Sequence, residues 1–205
     1  MTGILDVAKQ TLAAPAVFDL YQRLVGAPKC LERFVAQWIG AQPGDRLLDI
    51  GCGTGAVVPH LPRDVELVGV DISEAYIGAA TARHGAVGQF LVADASDQSL
   101  DLGAPFDIAY ASGVLHHIPD EPARRVIEGA ISRLKPGGRF VSIDPTLVQG
   151  QGWLSRTIVK ADRGQFIRSP EQLAELMAGY SPSFEVVTDM LNIPYAQVIA
   201  TIVRR

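Results

Sequence analysis

The sequence is poor in cysteine, with Cys30 and Cys52 as the only thiols among its 205 residues. Two thiols cannot build a disulfide framework or a cysteine-rich metal site. The sequence also has no apolar run of the roughly 18 residues that a membrane-spanning helix needs. Residues 1–10 lack the basic start of a secretory signal. These absences predict a reduced, cytoplasmic protein with no membrane partner.

Positive charge is not in excess either: 18 Lys and Arg residues stand against 22 Asp and Glu, a formal net charge of −4. Binding to the phosphate backbone of a nucleic acid depends on a basic face, so nucleic acid is not among the expected partners. The 48% apolar content and the small net charge exclude a disordered chain. A chain of this length predicts one domain with a substantial core.

The spacing of apolar residues predicts the order of helices and strands. Residues 15–26 and 28–40 each place apolar side chains on one face of a helix. Further along, short apolar runs alternate with helical segments, which predicts βαβ units and a parallel sheet covered by helices on both faces. The strands predicted in this part are 46–50, 65–70, 89–93, 106–111 and 139–143.

The pattern changes after residue 144 to short helices followed by strands. A short helix is predicted near residues 153–160, and another begins at Ser169, where a Ser-Pro-Glu-Gln sequence is typical of a capping box. Two final strands are predicted at 184–188 and 197–203.

The strongest motif is Leu-Leu-Asp-Ile-Gly-Cys-Gly-Thr-Gly at residues 47–55, a buried strand followed by glycines at alternate positions. Gly51, Gly53 and Gly55 allow a tight turn and let a ligand approach the backbone closely. We expect a helix from about Thr54, whose first N–H groups would bind a carboxylate or phosphate.

The glycines alone leave the class of ligand open. Gly51, Gly53 and Ala56 also satisfy the dinucleotide fingerprint, and Asp71 lies at the ribose-binding distance after them. A carboxylate just before the loop, at Asp49, suits a cationic amine and would repel a pyrophosphate. Asp94, at the end of the third strand, is placed to accept a hydrogen bond from an adenine amino group; the alternative is that it is the N-cap of a helix after the strand.

Residues 44–144 resemble the class I S-adenosylmethionine-dependent methyltransferases. The motifs that carry the resemblance are Leu47–Gly55, Gly69–Ser73, Ala93–Ala95, Leu115–Asp120 and Leu134–Gly138, in the family's order. The chain is most similar to the small-molecule type, the ubiquinone/menaquinone C-methyltransferases and natural-product O-methyltransferases. The resemblance implies a Rossmann-like, seven-stranded, mostly parallel sheet with the last strand antiparallel. The single domain 1–205 would comprise a helical N-terminal cap (1–44), a cofactor-binding core (45–144), and a substrate-side insertion with terminal strands (145–205).

The resemblance also implies which residues bind S-adenosylmethionine. Most of them lie at the ends of the first four strands: Asp49, Gly51, Gly53 and Gly55 for the methionine moiety, Asp71 for the ribose, Ile72, Asp94 and Ala95 for adenine, and Ser112 beside the sulfonium. Tyr21 in the N-terminal cap either closes over the cofactor or is an ordinary aromatic residue on a helix face.

Candidate catalytic and substrate-binding residues lie further along the chain. Similar O-methyltransferases use the first histidine of a His-His pair as a base, with an acid at the end of strand five, which implies His116 and Asp144 here. The alternative is that the His pair only shapes its turn. Residues that could contact the substrate are His117, Arg163, Arg168 and Tyr195. The two arginines would clamp an anionic substrate or form surface ion pairs.

The implied reaction is the in-line transfer of a methyl group from S-adenosylmethionine to an O, N or C nucleophile of a small-molecule acceptor. The product would be S-adenosylhomocysteine, and no metal is expected. One alternative is a nicotinamide-dependent oxidoreductase, although none of the five tyrosines is followed by a lysine four residues on. Another is an S-adenosylmethionine-binding protein without methyl transfer. The sequence leaves the acceptor, and the choice between monomer and homodimer, open.

Overall fold

The computed structural model describes residues 24–162 and 164–205 of the chain. Two of the predicted site residues, Tyr21 and Arg163, lie outside the described residues. So does most of the helix predicted over residues 15–26.

Seven strands form one sheet in the order β3-β2-β1-β4-β5-β7-β6. Their bounds are β1 Arg46–Ile50, β2 Glu66–Asp71, β3 Gly88–Val92, β4 Phe106–Ser112, β5 Leu134–Pro145, β6 Ser183–Val187 and β7 Gln197–Val203. The first five strands pair in parallel. The last strand, β7, runs antiparallel to both of its neighbours, β5 and β6. The predicted mostly parallel sheet with an antiparallel last strand is therefore confirmed.

Helices cover both faces of this sheet. They are α1 Ala27–Phe34, continued by a π turn at Val35–Ile39, α2 Glu74–His84, α3 Asp120–Ser132, α4 Trp153–Lys160 and α5 Pro170–Leu176, with single 3-10 turns at Val58–His60 and Leu115–His117. Alternate residues of β1 enter two apolar clusters. Leu48 packs in the cluster that contains Ile127 of α3, and Leu47 packs in the one that contains Phe34 of α1. Each face of the sheet thus has its own core, as the period of two in a strand requires.

The helix expected after the glycine motif is absent, and that prediction was wrong. The chain passes from the glycines through turns into the 3-10 turn at Val58–His60 and then, through a second turn at residues 61–65, into β2. Pro59 and Pro62 explain the difference, because proline has no N–H to donate and disfavours the helical conformation of the residue before it. The N–H groups at this end of β1 therefore belong to a glycine turn and not to a helix.

Candidate functional site

The loop after β1 is shaped by three glycines with left-handed backbone angles. The φ values are 66° at Gly51, 53° at Gly53 and 77° at Gly55. The N–H of Gly51 donates to the carbonyl of Val70 at 2.8 Å, which turns the chain across the end of β2. A Cβ at Gly51 would lie 2.5 Å from Val114, whereas at Gly53 it would meet nothing within 4 Å. The loop therefore exposes bare backbone at Gly53, where a ligand can approach it closely.

Asp71, the last residue of β2, holds this loop in place. Its Oδ2 accepts a hydrogen bond from the N–H of Gly53 at 3.0 Å, and its Oδ1 accepts one from the N–H of Ser73 at 2.9 Å. Ser73 in turn caps α2 by accepting from the N–H of Tyr76. A carboxylate can accept about four hydrogen bonds, so these two leave Asp71 with capacity for the hydroxyl groups of a ribose.

The other residues predicted to meet adenine lie at the same edge of the sheet. Ile72 follows Asp71 and is 77% exposed, a large apolar side chain left open to solvent. Asp94 is also exposed, and its Oδ1 accepts from the N–H of Ser96 at 2.8 Å. The alternative interpretation of Asp94, as the N-cap of a helix, is wrong, because turns follow it and the contact with Ser96 closes one of them. Ala95 and Ser112 are half-buried.

Asp49 is a buried carboxyl group with an unpaired oxygen. It is 1% exposed, and its Oδ2 has no hydrogen-bond partner among the described residues. Tyr110, its register partner on β4, carries a hydroxyl that is also buried and not hydrogen-bonded there. Burial raises the pKa of Asp49 to about 7; the nearby Tyr110 hydroxyl lowers it and Asp71 raises it. A positively charged ligand group would satisfy this carboxylate.

Tyr110 is a feature of this site that the sequence analysis missed. It lies in the predicted strand 106–111, where an aromatic side chain is expected to be part of the hydrophobic core. Aligning the parallel strands β1 and β4 would have placed its hydroxyl beside Asp49.

His116 lies between two carboxylates in the 3-10 turn after β4. Its side chain is buried, with Nδ1 2.8 Å from Asp144 Oδ1 and Nε2 3.3 Å from Asp162 Oδ1. The Asp144 oxygen also accepts the backbone N–H of His116 at 3.2 Å. Burial lowers the pKa of His116, but the two carboxylates outweigh it and raise the pKa to about 9. In this arrangement the ring carries a proton on both nitrogens at neutral pH.

Asp162, on the segment after α4, was not predicted as a site residue. Its Oδ2 accepts the Tyr195 hydroxyl at 2.6 Å, and its Oδ1 accepts the Gly164 N–H at 2.8 Å. Burial raises the pKa of Asp162, but His116 and these two donors hold it well below its usual range. The Asp-x-Gly spacing at residues 162–164 was the available signal for the backbone contact. No sequence pattern indicates the contact with His116.

Four of the predicted catalytic and substrate-binding residues come together here: His116, Asp144, His117 and Tyr195. The exposed ring of His117 lies 4.0 Å from the ring of His116, centroid to centroid. Tyr195 reaches the cluster through Asp162. The structure therefore assembles these residues around one buried imidazole.

Arg168 is placed differently from its prediction. It is 6% exposed, and its five hydrogen bonds account for all five guanidinium donors. Two of them go to the Asp120 carboxylate and three to the carbonyl oxygens of Leu115, Phe166 and Ile118. No donor is left for a substrate anion in this conformation. Arg168 instead holds the turn that carries His116.

Residues 24–162 and 164–205 contain neither a metal-binding cluster nor a membrane-spanning helix. This part of the chain holds no group of three or more His, Cys, Asp or Glu side chains arranged to bind a metal ion. In the same residues, no helix has the length and apolar character to cross a membrane.

Comparison with known proteins finds relatives over the part of the chain that contains the glycine loop and His116. A family model described as a methyltransferase domain matches residues 47–138. Among curated proteins, the chain is 33% identical over 168 residues to a 2-phytyl-1,4-naphtoquinone methyltransferase of Synechococcus elongatus, covering 74% of this chain and 71% of that protein. It is 37% identical over 121 residues to a 27-O-demethylrifamycin SV methyltransferase of Amycolatopsis mediterranei, covering 56% of this chain and 43% of that protein.

A solved structure shares the fold. The crystal structure of magnesium protoporphyrin IX methyltransferase from Synechocystis PCC 6803 with bound SAH has a TM-score of 0.67 and 23% sequence identity. The match covers 88% of this chain and 84% of that one.

The contacts of Arg168 predict a large loss of stability when they are removed. Arg168→Met deletes the guanidinium and removes its hydrogen bonds to three carbonyl oxygens and to Asp120, so we expect the free energy of unfolding to fall by about 2–5 kcal/mol. Urea denaturation measures it. The matched control is Arg125→Met, which breaks an exposed pair with Glu121 and should cost less than about 1 kcal/mol. Equal losses in the two variants would contradict this role.

The burial of Asp49 predicts that stability depends on pH. Its pKa rises from 3.8 to about 7 on folding. Its contribution to stability is therefore complete below pH 3.8 and is lost as the pH rises to about 7. Asp49→Asn should raise the free energy of unfolding at pH 8 by roughly 2–4 kcal/mol and leave it nearly unchanged at pH 4. Urea denaturation at the two pH values measures the difference, and an equal change at both would refute the assignment.

Proposed function

Because the chain belongs to the S-adenosylmethionine-dependent methyltransferases, we propose that it transfers the methyl group of that cofactor to a hydroxyl oxygen of a small-molecule acceptor. The observation that carries the choice of oxygen is the buried pair of His116 and Asp144 at the carboxyl ends of β4 and β5, 2.8 Å apart. The name of one relative, 27-O-demethylrifamycin SV methyltransferase, refers to an oxygen and supports this choice.

The residues at the edge of the sheet fit the cofactor. When bound, S-adenosylmethionine supplies an electrophilic methyl group on a positively charged sulfur. The unpaired Oδ2 of Asp49 is suited to the cationic end of the cofactor, and the bare backbone at Gly53 gives it room. Asp71 retains hydrogen-bonding capacity for the ribose, and the exposed side chain of Ile72 offers an apolar surface to the adenine ring.

The His116 ring would take the proton of the acceptor. Asp144 holds Nδ1 as a donor, so Nε2 is the nitrogen that can accept the hydroxyl proton once the ring is neutral. Asp144 then stabilises the positive charge that forms on the ring. A base in this position contributes about 10²–10⁴-fold to the rate, and alignment of the two reactants contributes more.

We also propose the remaining details of the assignment. Residues 24–44 and the segment between β5 and β6 would enclose the acceptor, in a single domain whose core binds the cofactor. The reaction would take place in the cytoplasm, in the biosynthesis of a metabolite or natural product. A nicotinamide-dependent oxidoreductase is not proposed, because the buried carboxyl group of Asp49 would repel a pyrophosphate.

Cofactor binding tests the site around Asp71. Asp71→Asn removes the charge that orders the glycine loop and receives the ribose, so we expect the affinity for S-adenosylhomocysteine to fall about 10–100-fold in calorimetry. Asp101→Asn is the matched control, because Asp101 is exposed and, among the described residues, accepts a turn N–H, that of Gly103, in a comparable contact. Unchanged affinity in Asp71→Asn, or binding of NADH by the unmodified protein, would count against the proposal.

Methyl transfer tests the role of His116. The protein is incubated with S-adenosylmethionine and a panel of hydroxylated small molecules, and the mass gain of one methyl group identifies an acceptor. His116→Gln should then lower kcat about 10²–10⁴-fold while the affinity for S-adenosylhomocysteine is kept. His60→Gln, in the 3-10 turn after the glycine loop, serves as the control. A His116→Gln variant with full kcat would reduce His116 to a residue that shapes its turn.

A further inference from the structure

Asp162 lies against Nε2 of His116, the ring nitrogen that takes the proton in the proposed reaction. Its Oδ1 lies 3.3 Å from Nε2 of His116, while Asp144 occupies Nδ1 at 2.8 Å. A neutral imidazole has one N–H donor and can serve only one carboxylate, whereas the protonated ring serves two. With both carboxylates in place, the ring therefore has no lone pair with which to take a proton.

The segment that carries Asp162 is fitted closely to the ring. Tyr195 and the N–H of Gly164 hold the Asp162 carboxylate, and the N–H of Phe166 donates to the carbonyl of His116 at 3.0 Å. A Cβ on Gly164 would lie 2.0 Å from Cδ2 of His116, so this approach is open only to glycine. The contact between Asp162 and His116 is thus built into the segment and does not depend on a chance rotamer.

We propose that Asp162 is a positioning residue that holds Nε2 of His116 until the hydroxyl group of an acceptor replaces it. This inference rests on the proposed function. It deepens that function by naming the acceptor group as a neutral alcohol or phenol, because the incoming group must donate a hydrogen bond to Nε2. A carboxylate acceptor would accept from the ring, as Asp162 does, and would leave it protonated.

The exchange accounts for every proton. When Asp162 leaves Nε2, the ring releases one proton to solvent and keeps the Nδ1–H bond to Asp144. The acceptor oxygen then gains a methyl group, whose bond to the cofactor sulfur breaks with its electron pair left on sulfur, and its O–H proton passes to Nε2. The ether product has no O–H left to donate, so Asp162 regains the protonated ring and the product is released.

The groups around His116 determine whether its pKa rises or falls when Asp162 is changed. The titratable groups around the ring are Asp144 from β5, Asp162 from the segment after α4, His117 from the same turn, and Tyr195, which contacts Asp162. Arg168, paired with Asp120, binds the carbonyl of the residue before His116. Burial opposes the charge on the ring, and the two carboxylates favour it. Removing one carboxylate must therefore lower the pKa of His116.

The test measures the titration of His116 directly, without a substrate. The full-length protein is labelled at its four histidines, and the imidazole signals are followed by NMR, with His116→Gln assigning the signal. Asp162→Asn should lower the His116 midpoint by at least about one pH unit, because it removes one of two adjacent charges. Asp101→Asn, the exposed control, should leave the midpoint unchanged. A folded Asp162→Asn variant with an unchanged midpoint would overturn the inference.

Two further variants separate charge from packing. Tyr195→Phe keeps the Asp162 carboxylate and removes its hydroxyl donor, so the His116 midpoint should not fall; a fall would overturn the inference. Gly164→Ala pushes the segment off the ring without changing any charge, and should lower the midpoint as Asp162→Asn does. It provides the decisive measurement if Asp162→Asn does not fold, and an unchanged midpoint there would again overturn the inference.

A rate measurement then connects the pairing to the reaction. Once an acceptor is identified, the acidic limb of the pH profile of kcat/KM should shift to lower pH in Asp162→Asn, by the same amount as the NMR midpoint. An unmoved limb would overturn the role of Asp162 in the reaction. Failure of the proposed function has a different signature: no methylated acceptor is found, while the NMR titrations still report the pairing.

Discussion

The site depends on how the protein pairs the Asp side chains that are shielded from water at the C-terminal ends of the strands. Burying a charge is costly unless it is paired or hydrogen-bonded. Asp71 meets this requirement with two backbone N–H groups, and Asp144 pairs one of its two oxygens with the His116 ring. Among the described residues, one oxygen of Asp49 and the second oxygen of Asp144 have no hydrogen-bond partner. Asp71 orders the glycine loop and Asp144 orients the His116 ring, whereas the buried Asp49 has the charge that suits a cationic ligand.

The same edge shows how the turn carrying His116 is kept rigid. Arg168 donates to the carbonyl oxygens of Leu115 and Ile118 at this turn, to that of Phe166, and to the Asp120 carboxylate at the start of α3. The segment that contains Asp162 then closes over the ring from the other side. A base must stay within hydrogen-bonding distance of the proton that it takes. An arginine that looks suited to binding substrate instead fixes the position of the turn that carries His116.

Most of the fold followed from local patterns. The strands predicted at 46–50 and 197–203 match the observed bounds of β1 and β7, because their apolar periods differ from those of the neighbouring helices. The capping box predicted at Ser169 is present for the same reason: its contacts lie within one helical turn. The helix expected after Gly55 failed because two prolines follow within a few residues, and their effect outweighs the glycine motif.

The sequence by itself determined the class of fold, the glycine loop and the identity of most groups at the edge of the sheet, since each depends on neighbours in the chain. Only the tertiary structure decided how those groups are paired. Tyr110 beside Asp49, Arg168 under the His116 turn and Asp162 against the His116 ring are contacts between separate elements. Such contacts depend on strand register and loop packing, which set distances in space that residue spacing does not encode.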